Sequence, residues 1–273
     1  MSFQVPPPVI PNLIRYASLS TVHSSLCLDA CVKIYKYRDF ANASQDDFRR
    51  LEDAVHRHLV WCARPDTLND PEEFIWQCDY TATPATLGLL TAVLVKARGW
   101  TPVEARAMAA ISIEDGRLET IARPVLVDMI TQCRNEIGIA CFGTEPDNEV
   151  LWERYGGRGA CACIEFDVPN DLLGTQLHRV KYLERKHLHV DQLLRAYAES
   201  SSVKPVYDLA LLSKPSSWAP EEEVRFVSQR HSIAVALDRA RVSCMFLGDA
   251  LSADVRERIG RIASPIPLAD RRR

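Results

Sequence analysis

The sequence of 273 residues lacks the features that define fibrous or membrane-spanning chains. It has only 11 glycines and 16 prolines and no sustained heptad repeat, which excludes collagen-like and coiled-coil rods. Its longest apolar window, residues 87–95, is much shorter than the roughly 20 residues that a membrane-spanning helix needs. The first residues show no basic segment that leads into an apolar stretch, so we predict no secretory signal and no membrane partner.

An excess of one charge sign is also lacking. The chain has 33 Lys and Arg against 36 Asp and Glu, a formal net charge of -3, which leaves no field that would hold bulk duplex DNA. The 47% of hydrophobic and 25% of charged residues are typical of a globular protein. The length allows one large domain or two small ones, and we predict a single domain over residues 1–273.

Cysteine pairs with the two-residue spacing of zinc sites are absent, although the sequence has nine cysteines. Most of them lie within apolar runs such as residues 139–142 and 160–164, which is typical of buried thiols. The seven histidines are isolated or lie in charged stretches. We therefore expect no metal and a location in a reducing cytoplasm.

Hydrophobic periodicity predicts a mixture of strands and helices without the strict alternation of a doubly wound sheet. Strands are expected at residues 32–38, 58–63, 138–142, 160–166, 178–182, 222–229 and 241–247. Helices are expected at residues 18–30, from the turn at 42–47 to residue 57, and at 191–212 and 252–262. Helical periodicity also dominates residues 84–135, which we interpret as a helical insertion of three or four helices, while the prolines at 6–11 suggest an extended arm and those at 265 and 267 the end of regular structure.

The most informative charged segment lies late in the chain, where Glu221, Glu223 and Arg225 follow one another at two-residue spacing. If this segment is a strand, the three side chains share one face while Val224 and Phe226 point to the core. Carboxylates in such a row can orient a sugar hydroxyl and stabilise positive charge on an oxocarbenium-like carbon. The alternative is the solvated face of an edge strand, where charges prevent aggregation.

A second candidate is Asn69 with Asp70, which follow an apolar strand and precede Pro71. Loops placed directly after a strand often carry functional side chains. Turn chemistry by itself also favours Asn, Asp and Pro, so both a binding loop and a plain turn remain open.

A third candidate is the pair of aromatic residues Trp152 and Tyr155, three positions apart on one face of a predicted helix. Such rings either pack in the core or stack on a planar ligand. The following turn at residues 156–159 lacks the spacing of a dinucleotide or triphosphate loop.

The fourth candidate is the early strand with Tyr35, Lys36, Tyr37 and Arg38. Alternation sends the two tyrosines to one face and the two cations to the other. The cations either bind a pyrophosphate or lie on a solvated face.

Read in order, these segments resemble the bacterial domain-of-unknown-function family numbered 2971. Its members carry a Tyr-Lys-Tyr-Arg strand, a Pro followed by a Leu/Phe-Asn-Asp-Pro loop, a Cys-Phe pair, a Leu-Trp-x-x-Tyr segment, a Cys-Ile-x-Phe-Asp strand and a late Trp-x-x-Glu-x-Glu-x-Arg segment. The corresponding residues here are Tyr35 to Arg38, Pro65 with Leu68 to Pro71, Cys141 with Phe142, Leu151 with Trp152 and Tyr155, Cys163 to Asp167, and Trp218 with Glu221, Glu223 and Arg225. The long helical region and Glu72, where an aromatic is usual, depart from the family pattern.

The chain is also similar to ADP-ribosyltransferases of the DNA-modifying toxin type. In those enzymes a first strand grips the cofactor, a helix and a second strand follow, and a catalytic Glu lies on a strand that precedes a final strand and helix. Glu221-x-Glu223 is similar to the two-glutamate motif of many mono-ADP-ribosyltransferases. The resemblance implies an α+β fold with a largely antiparallel sheet core, the ADP-ribosyltransferase fold, interrupted by the helical insertion.

This resemblance implies an enzyme of a bacterial phage-defence or toxin system that consumes NAD and modifies a protein or a nucleic acid base. It implies that Glu223 orients the nicotinamide ribose and stabilises its cationic transition state, and that Glu221 activates or positions the acceptor. Lys36 stands where such enzymes often place His. The residues that it implies for cofactor binding are Tyr35, Lys36, Tyr37, Arg38, Asn69, Asp70, Trp152, Tyr155 and Arg225.

Two other functions fit the same residues. Carboxylates from separate strands suit Mg²⁺, so a metal-dependent nuclease or hydrolase would use Asp70, Glu165 and Glu223 as ligands. A non-catalytic module that binds a protein partner would use an aromatic interface of Trp152, Tyr155 and Trp218.

Overall fold

A computed structural model describes residues 31–70, 76–199 and 204–271 of the chain. The predicted helix at 18–30 and the proline-rich segment at 6–11 lie outside the described residues. The chain divides into two compact units. The sheet unit comprises the described residues of 31–67, 137–180 and 217–271, and the helical unit comprises those of 68–136 and 181–216.

The sheet unit contains most of the strands. Its strands are β1 (Cys31–Asp39), β2 (Leu59–Cys62), β4 (Gly138–Phe142), β5 (Cys161–Pro169), β6 (Leu177–Arg179), β10 (Val224–Ser228), β11 (Ile233–Ala236), β12 (Arg241–Leu247) and β13 (Leu268–Asp270). Its helices are α1 (Gln45–Arg57), α5 (Glu149–Tyr155) and α8 (Ala253–Ala263). These bounds confirm the predicted strands at 32–38, 138–142, 160–166 and 241–247 and the predicted last helix within a few residues.

Two sheets organise this unit. The larger sheet has the strand order β1-β5-β12-β13, and the smaller has the order β4-β10-β6, so β5 and β10 are both internal strands. The pairs β1 with β5, β5 with β12, β10 with β4 and β10 with β6 are antiparallel, and β2 pairs antiparallel with β11. The mixed composition of helices and mostly antiparallel sheets confirms the predicted α+β class.

The main hydrophobic core lies on one face of the larger sheet. Ile34 of β1, Ile164 and Phe166 of β5 and Met245 of β12 are each no more than 1% exposed and belong to this core. We call the face of β1 that carries Ile34, Lys36 and Arg38 the inner face. Helix α1 starts sharply because Ser44 forms a capping box, in which its side chain and that of the third helical residue satisfy each other's backbone N–H groups.

The helical unit contains the predicted insertion. Its elements are β3 (Gln77–Asp79), α2 (Thr86–Arg98), α3 (Pro102–Glu114), α4 (Leu118–Glu136), β7 (Lys181–Leu183), β8 (His187–His189), α6 (Val190–Ala198), α7 (Lys204–Leu211) and β9 (Ser213–Pro215). Three helices thus occupy the stretch 84–135, and α3 begins at Thr101, which forms a capping box with Glu104. In this unit β3 pairs parallel with β8, and β7 pairs parallel with β9.

Several predicted element boundaries are wrong. The strand expected over 178–182 is two short strands, β6 and β7, on either side of Val180. The helix expected over 191–212 is two helices, α6 and α7, and Pro205 lies in the first turn of α7, where the missing N–H costs nothing because first-turn N–H groups have no partner within the helix. Regular structure continues past Pro265 and Pro267, because β13 pairs in parallel with β12. Pro267 takes part by accepting a hydrogen bond through its carbonyl from the Met245 N–H at 3.0 Å, which needs no proline N–H.

No helix in the described ranges combines the length and the apolar character needed to cross a membrane.

Candidate functional site

The acidic segment that precedes β10 is not a strand, which corrects the prediction for residues 221–226. Glu221 ends a 3-10 helix (Ser216–Glu221), and β10 begins only at Val224. Between them, Glu222 has a φ of +46°, in the left-handed region that a residue with a side chain rarely adopts. This residue turns the chain, so the two-residue alternation that placed Glu221 on the same strand face as Glu223 does not apply.

Three of the four charged residues of this segment are buried, and Glu222 is exposed. The exposed fraction is 1% for Glu221, 5% for Glu223 and 0% for Arg225. The alternative of a solvated edge strand is therefore wrong, because β10 is the central strand of its sheet and both of its faces are covered. Burial of a charge is costly unless an opposite charge and hydrogen bonds accompany it, so each of these residues requires a partner.

Glu223 and Arg225 form an ion pair in the interior. The Arg225 Nε donates to Glu223 Oε1 at 2.8 Å, and the Arg225 Nη2 donates to Glu223 Oε2 at 3.3 Å. Each carboxylate oxygen thus has its own guanidinium donor, which fixes the plane of the carboxylate as well as its position.

Lys36 reaches the same part of the molecule from β1. Its Nζ donates to the backbone carbonyl of Cys141 at 2.8 Å, and Cys141 is the residue of β4 that lies opposite Arg225 in the ladder. The Lys36 ammonium also lies 5.4 Å from the centroid of the Phe142 ring. Burial raises the pKa of the Cys141 thiol to about 12, with smaller effects from the charges of Glu223, Arg225 and Lys36.

Burial lowers the pKa of Lys36 itself, and the positive charge of Arg38 acts in the same direction, against a smaller opposing effect of Glu223. One cation from the start of the described chain therefore lies near Glu223, close enough for this carboxylate to act on the pKa of Lys36. We call Lys36, Glu223 and Arg225, with the Cys141 backbone that links them, the acid–lysine cluster.

Glu221 is held by a second set of residues at the end of α5. Arg154 Nη1 donates to Glu221 Oε1 at 2.9 Å, and the Tyr155 hydroxyl donates to the same oxygen at 3.1 Å. The Arg154 guanidinium also stacks on the Trp218 ring, with 4.3 Å from its central carbon to the ring centroid. Tyr155 therefore contacts the predicted catalytic segment through its hydroxyl, and Trp218 contacts it through Arg154.

Tyr35 and Tyr37 lie on the opposite face of β1 from Lys36 and Arg38, as alternation predicts. The Tyr35 hydroxyl donates to Glu165 Oε2 at 3.0 Å, and the Tyr37 hydroxyl donates to the Glu145 carbonyl at 2.6 Å. Burial raises the pKa of both phenols above the usual value. Each tyrosine is thus engaged away from the acid–lysine cluster.

Trp152 belongs to the same small cluster behind β1 and is 1% exposed. Its ring lies edge to face with Tyr37 at 5.5 Å between centroids, and its Nε1 donates to the Pro146 carbonyl at 2.8 Å. Of the two interpretations that the sequence left open for this tryptophan, the structure agrees with core packing. An aromatic interface for a partner would have only Tyr155 and Trp218 at its disposal, since Trp152 is buried.

Glu165, one of the three ligands in the metal-dependent alternative, accepts hydrogen bonds from three donors. It accepts hydrogen bonds from Lys33 Nζ at 2.5 Å, Ser243 Oγ at 2.8 Å and the Tyr35 hydroxyl. Burial acts to raise the pKa of Glu165, but these hydrogen bonds outweigh burial, and the pKa is lowered. It shares the Tyr35 face of the sheet, whereas Glu223 lies beside Lys36 of the inner face.

Asn69 and Asp70, the candidates from the early loop, belong to the helical unit. Asp70 is 3% exposed there and Asn69 is exposed. Across the described ranges, no group of three or more His, Cys, Asp or Glu side chains has the arrangement of a metal site.

Sequence reasoning missed the residues that hold the acidic side chains. A buried Glu221 requires a cation, but nothing in the sequence identifies Arg154, which is separated from it by 67 positions. Cys141 binds Lys36 through its backbone carbonyl, and a pattern of side chains in the sequence cannot predict such a backbone contact.

Comparison with known proteins adds no observation on the fold or the site. The chain matches no protein-family model, no curated protein and no solved structure.

Proposed function

We propose that this chain is an ADP-ribosyltransferase-like enzyme that consumes NAD and acts in a bacterial defence or toxin system. The observation that carries the proposal is the acid–lysine cluster, in which Arg225 orients a buried Glu223 carboxylate beside Lys36 of the first described strand. A buried carboxylate that is held in one orientation can stabilise an oxocarbenium-like transition state without reorganising during the reaction.

The order of elements in the sheet unit supports the ADP-ribosyltransferase fold for this proposal. The cation-bearing strand β1 is followed by α1 and β2, and β2 leads to a turn at Pro65–Thr67. Later, Glu223 immediately precedes β10, and β12 and α8 follow. This is the order that the resemblance implied for a cofactor-gripping strand, a helix, a second strand and a late catalytic glutamate.

In the proposed reaction, the N-glycosidic bond between the nicotinamide ring and the ribose carbon of NAD breaks, and nicotinamide leaves with the bonding electron pair. The positive charge that develops on the ribose carbon is stabilised by the negative Glu223 carboxylate. A nucleophile of the acceptor, a protein or nucleic acid base, then forms the new bond to that carbon and releases its proton.

The contacts of Glu221 favour a role in binding the acceptor. Because Arg154 and Tyr155 both donate to one of its oxygens, Glu221 positions these two side chains at the end of α5. We propose that Arg154 and Tyr155 present the acceptor to the ribose carbon, and that Glu221 acts on the acceptor through them.

The test is release of nicotinamide from NAD by the full chain, measured by chromatography with a bacterial lysate as a source of acceptors. We expect release by the unsubstituted protein and a loss of at least about 100-fold in Glu223→Gln, since a single preorganised electrostatic group contributes roughly 100- to 1,000-fold. Glu222→Gln is the matched control, because Glu222 is the exposed neighbour and accepts only from surface Thr144 in the contacts seen. Absence of release, or equal release by both variants, contradicts the proposal.

The same assay, run with and without a chelator, distinguishes the proposed mechanism from the metal-dependent alternative. Release that persists at full rate in the presence of a chelator agrees with a carboxylate mechanism that needs no metal ion. Loss of activity on chelation, restored by Mg²⁺, favours the nuclease or hydrolase instead.

A further inference from the structure

A cleft of about 640 Å³ lies between helices α1 and α8 of the sheet unit. Its lining residues are Gln45, Asp46, Phe48, Arg49, Glu52 and His56 of α1 and Arg258, Arg261 and Ile262 of α8. This volume is in the range of sites that bind small molecules. The lining shares no residue with the acid–lysine cluster, so the cleft is a second place where the sheet unit can bind a ligand.

Three guanidinium groups line the cleft from two helices. Arg258 and Arg261 are three positions apart on α8 and therefore lie on one side of it, and Arg49 lines the cleft from α1. The carboxylates of the lining are those of Asp46 and Glu52, which leaves an excess of positive charge. Excess positive charge in a concave surface favours an anionic ligand.

Arg258 is held in one orientation by uncharged groups. Its guanidinium stacks on the Phe48 ring, with 3.8 Å from the central carbon to the ring centroid, and its Nη2 donates to Gln45 Oε1 at 2.5 Å. Over residues 31–70, 76–199 and 204–271, no carboxylate forms an ion pair with Arg258. Its charge and its other N–H donors are therefore available to a ligand at low cost in side-chain entropy.

The other two arginines of the cleft form only exposed ion pairs. Arg49 Nη2 lies 3.1 Å from Asp46 Oδ1, and Arg261 Nε lies 3.7 Å from Glu257 Oε1. All four of these side chains are more than 60% exposed, and exposed pairs contribute little to stability. An anion with more than one charge can therefore compete with these carboxylates for the two guanidinium groups.

We propose that the cleft between α1 and α8 binds the phosphate group of a small phosphate monoester or of free phosphate, with Arg258 as the main contact and Arg49 and Arg261 as further contacts. The planar fork of a guanidinium matches two oxygens of a phosphate group. At neutral pH a phosphate monoester carries nearly two negative charges, whereas a carboxylate carries one, so phosphate is the better match for three arginines. This site is independent of the proposed cleavage of NAD.

The experiment is calorimetric titration of the full chain at low ionic strength with glucose 6-phosphate, inorganic phosphate and glucose. We expect both phosphate compounds to bind and glucose not to bind. Tighter binding of glucose 6-phosphate identifies a monoester as the preferred source of the phosphate, and equal or tighter binding of inorganic phosphate identifies free phosphate. The proposal is overturned if neither phosphate compound binds, or if glucose binds as tightly as glucose 6-phosphate.

Substitutions in the lining should change the affinity in opposite directions. Arg258→Gln should weaken phosphate binding about tenfold, the effect of losing one charge-assisted contact. Glu52→Gln should strengthen it about threefold, because the variant removes a negative charge that repels the anion. Arg57→Gln is the matched control on α1, since Arg57 is exposed and pairs with Asp53 at 3.1 Å outside the lining. Equal weakening in Arg57→Gln, or weaker binding in Glu52→Gln, contradicts the proposal.

Thermal unfolding without ligand separates loss of binding from loss of the fold. The side chain of Arg261 is 72% exposed, so Arg261→Gln should keep the Tm of the unsubstituted protein while it weakens phosphate binding about threefold. This variant tests the proposal even if Arg258→Gln lowers Tm through its lost contact with Phe48. The proposal fails if Arg261→Gln keeps its Tm and binds phosphate as tightly as the unsubstituted protein.

Competition with NAD distinguishes this proposal from the proposed function. Since the cleft shares no residue with the acid–lysine cluster, an excess of NAD should leave the Kd for glucose 6-phosphate unchanged, whether or not NAD is cleaved. Displacement of glucose 6-phosphate by NAD would show that the phosphate occupies the proposed cofactor site, and the second site would then be wrong.

Discussion

Individual buried carboxylates in the sheet unit are compensated by cations, and two of the three partners are distant in sequence. Glu223 has Arg225, Glu221 has Arg154, and Glu165 has Lys33, each pair with at least one contact of 2.9 Å or less. Such pairs contribute little when exposed, but a buried charge that loses its partner is strongly destabilising. The stability of the unit should therefore respond to the removal of one such charge, and Glu165 allows this to be tested away from the acid–lysine cluster.

Glu165→Gln should lower the free energy of unfolding by about 2 kcal/mol at neutral pH, because Lys33, Tyr35 and Ser243 lose a charged acceptor. Because the pKa of Glu165 is lowered in the folded protein, the difference in the free energy of unfolding between the two proteins depends on pH. The stabilisation is fully present above the unfolded value of roughly 4.3 and disappears as the pH falls through the lower folded value. Urea unfolding from pH 7 to 3 should show the gap between the two proteins closing at acid pH.

Asp167→Asn is the matched control for that series. Asp167 lies on the same strand and 3.8 Å from Lys33, but its side chain is 35% exposed, so its replacement should cost less than about 0.5 kcal/mol. An equal loss in both variants, or a gap for Glu165→Gln that stays constant down to pH 3, would show that the hydrogen-bonded charge is not the cause.

At the scale of elements, the start of β10 decides where both glutamates lie. The left-handed Glu222 separates the 3-10 helix that ends at Glu221 from the strand that starts at Val224. The turn is held from outside, since Asn148 Nδ2 donates to the Pro220 carbonyl and Thr144 Oγ1 donates to Glu222 Oε2, both at 2.8 Å. A non-glycine residue kept at such a φ costs of the order of 1 kcal/mol or more.

The change in stability on replacing Glu222 should therefore depend more on whether the new residue adopts a positive φ easily than on its charge. Glu222→Gly should leave the free energy of unfolding unchanged or raise it by up to about 1 kcal/mol, whereas Glu222→Val should lower it by about 1 to 2 kcal/mol, because a β-branched residue is disfavoured at positive φ. Chemical denaturation of the two variants measures the difference. Equal stability of the glycine and valine variants would refute the backbone explanation.

The limits of sequence reasoning are clearest in this same element. Alternation correctly predicted β1, whose tyrosines and cations lie on opposite faces of the strand. The alternation failed at Glu221 because Glu222 has a positive φ, so the residues before it do not continue the two-residue repeat of β10. No pattern in the sequence identifies Glu222 as a residue of positive φ. No periodicity relates Lys36 to Glu223, which are nearly 190 positions apart, because the proximity of such residues depends on strand order.

At the scale of the whole molecule, the residues that the proposed reaction uses lie in the sheet unit. It holds Lys36, Glu221, Glu223 and Arg225, while Asn69 and Asp70 belong to the helical unit. In the proposed reaction, Glu223 stabilises the charge that develops when NAD loses nicotinamide. If so, its carboxylate matters for cleavage far more than for binding, because ground-state NAD does not carry that additional charge on the ribose carbon.

The most direct measurement is a parallel determination of the Kd for NAD and the single-turnover rate of nicotinamide release in the unsubstituted protein and in Glu223→Gln. We expect a Kd within about threefold of the unsubstituted value together with a loss of cleavage of at least about 100-fold. Loss of NAD binding in proportion to the loss of cleavage, or cleavage at the unsubstituted rate, would contradict it.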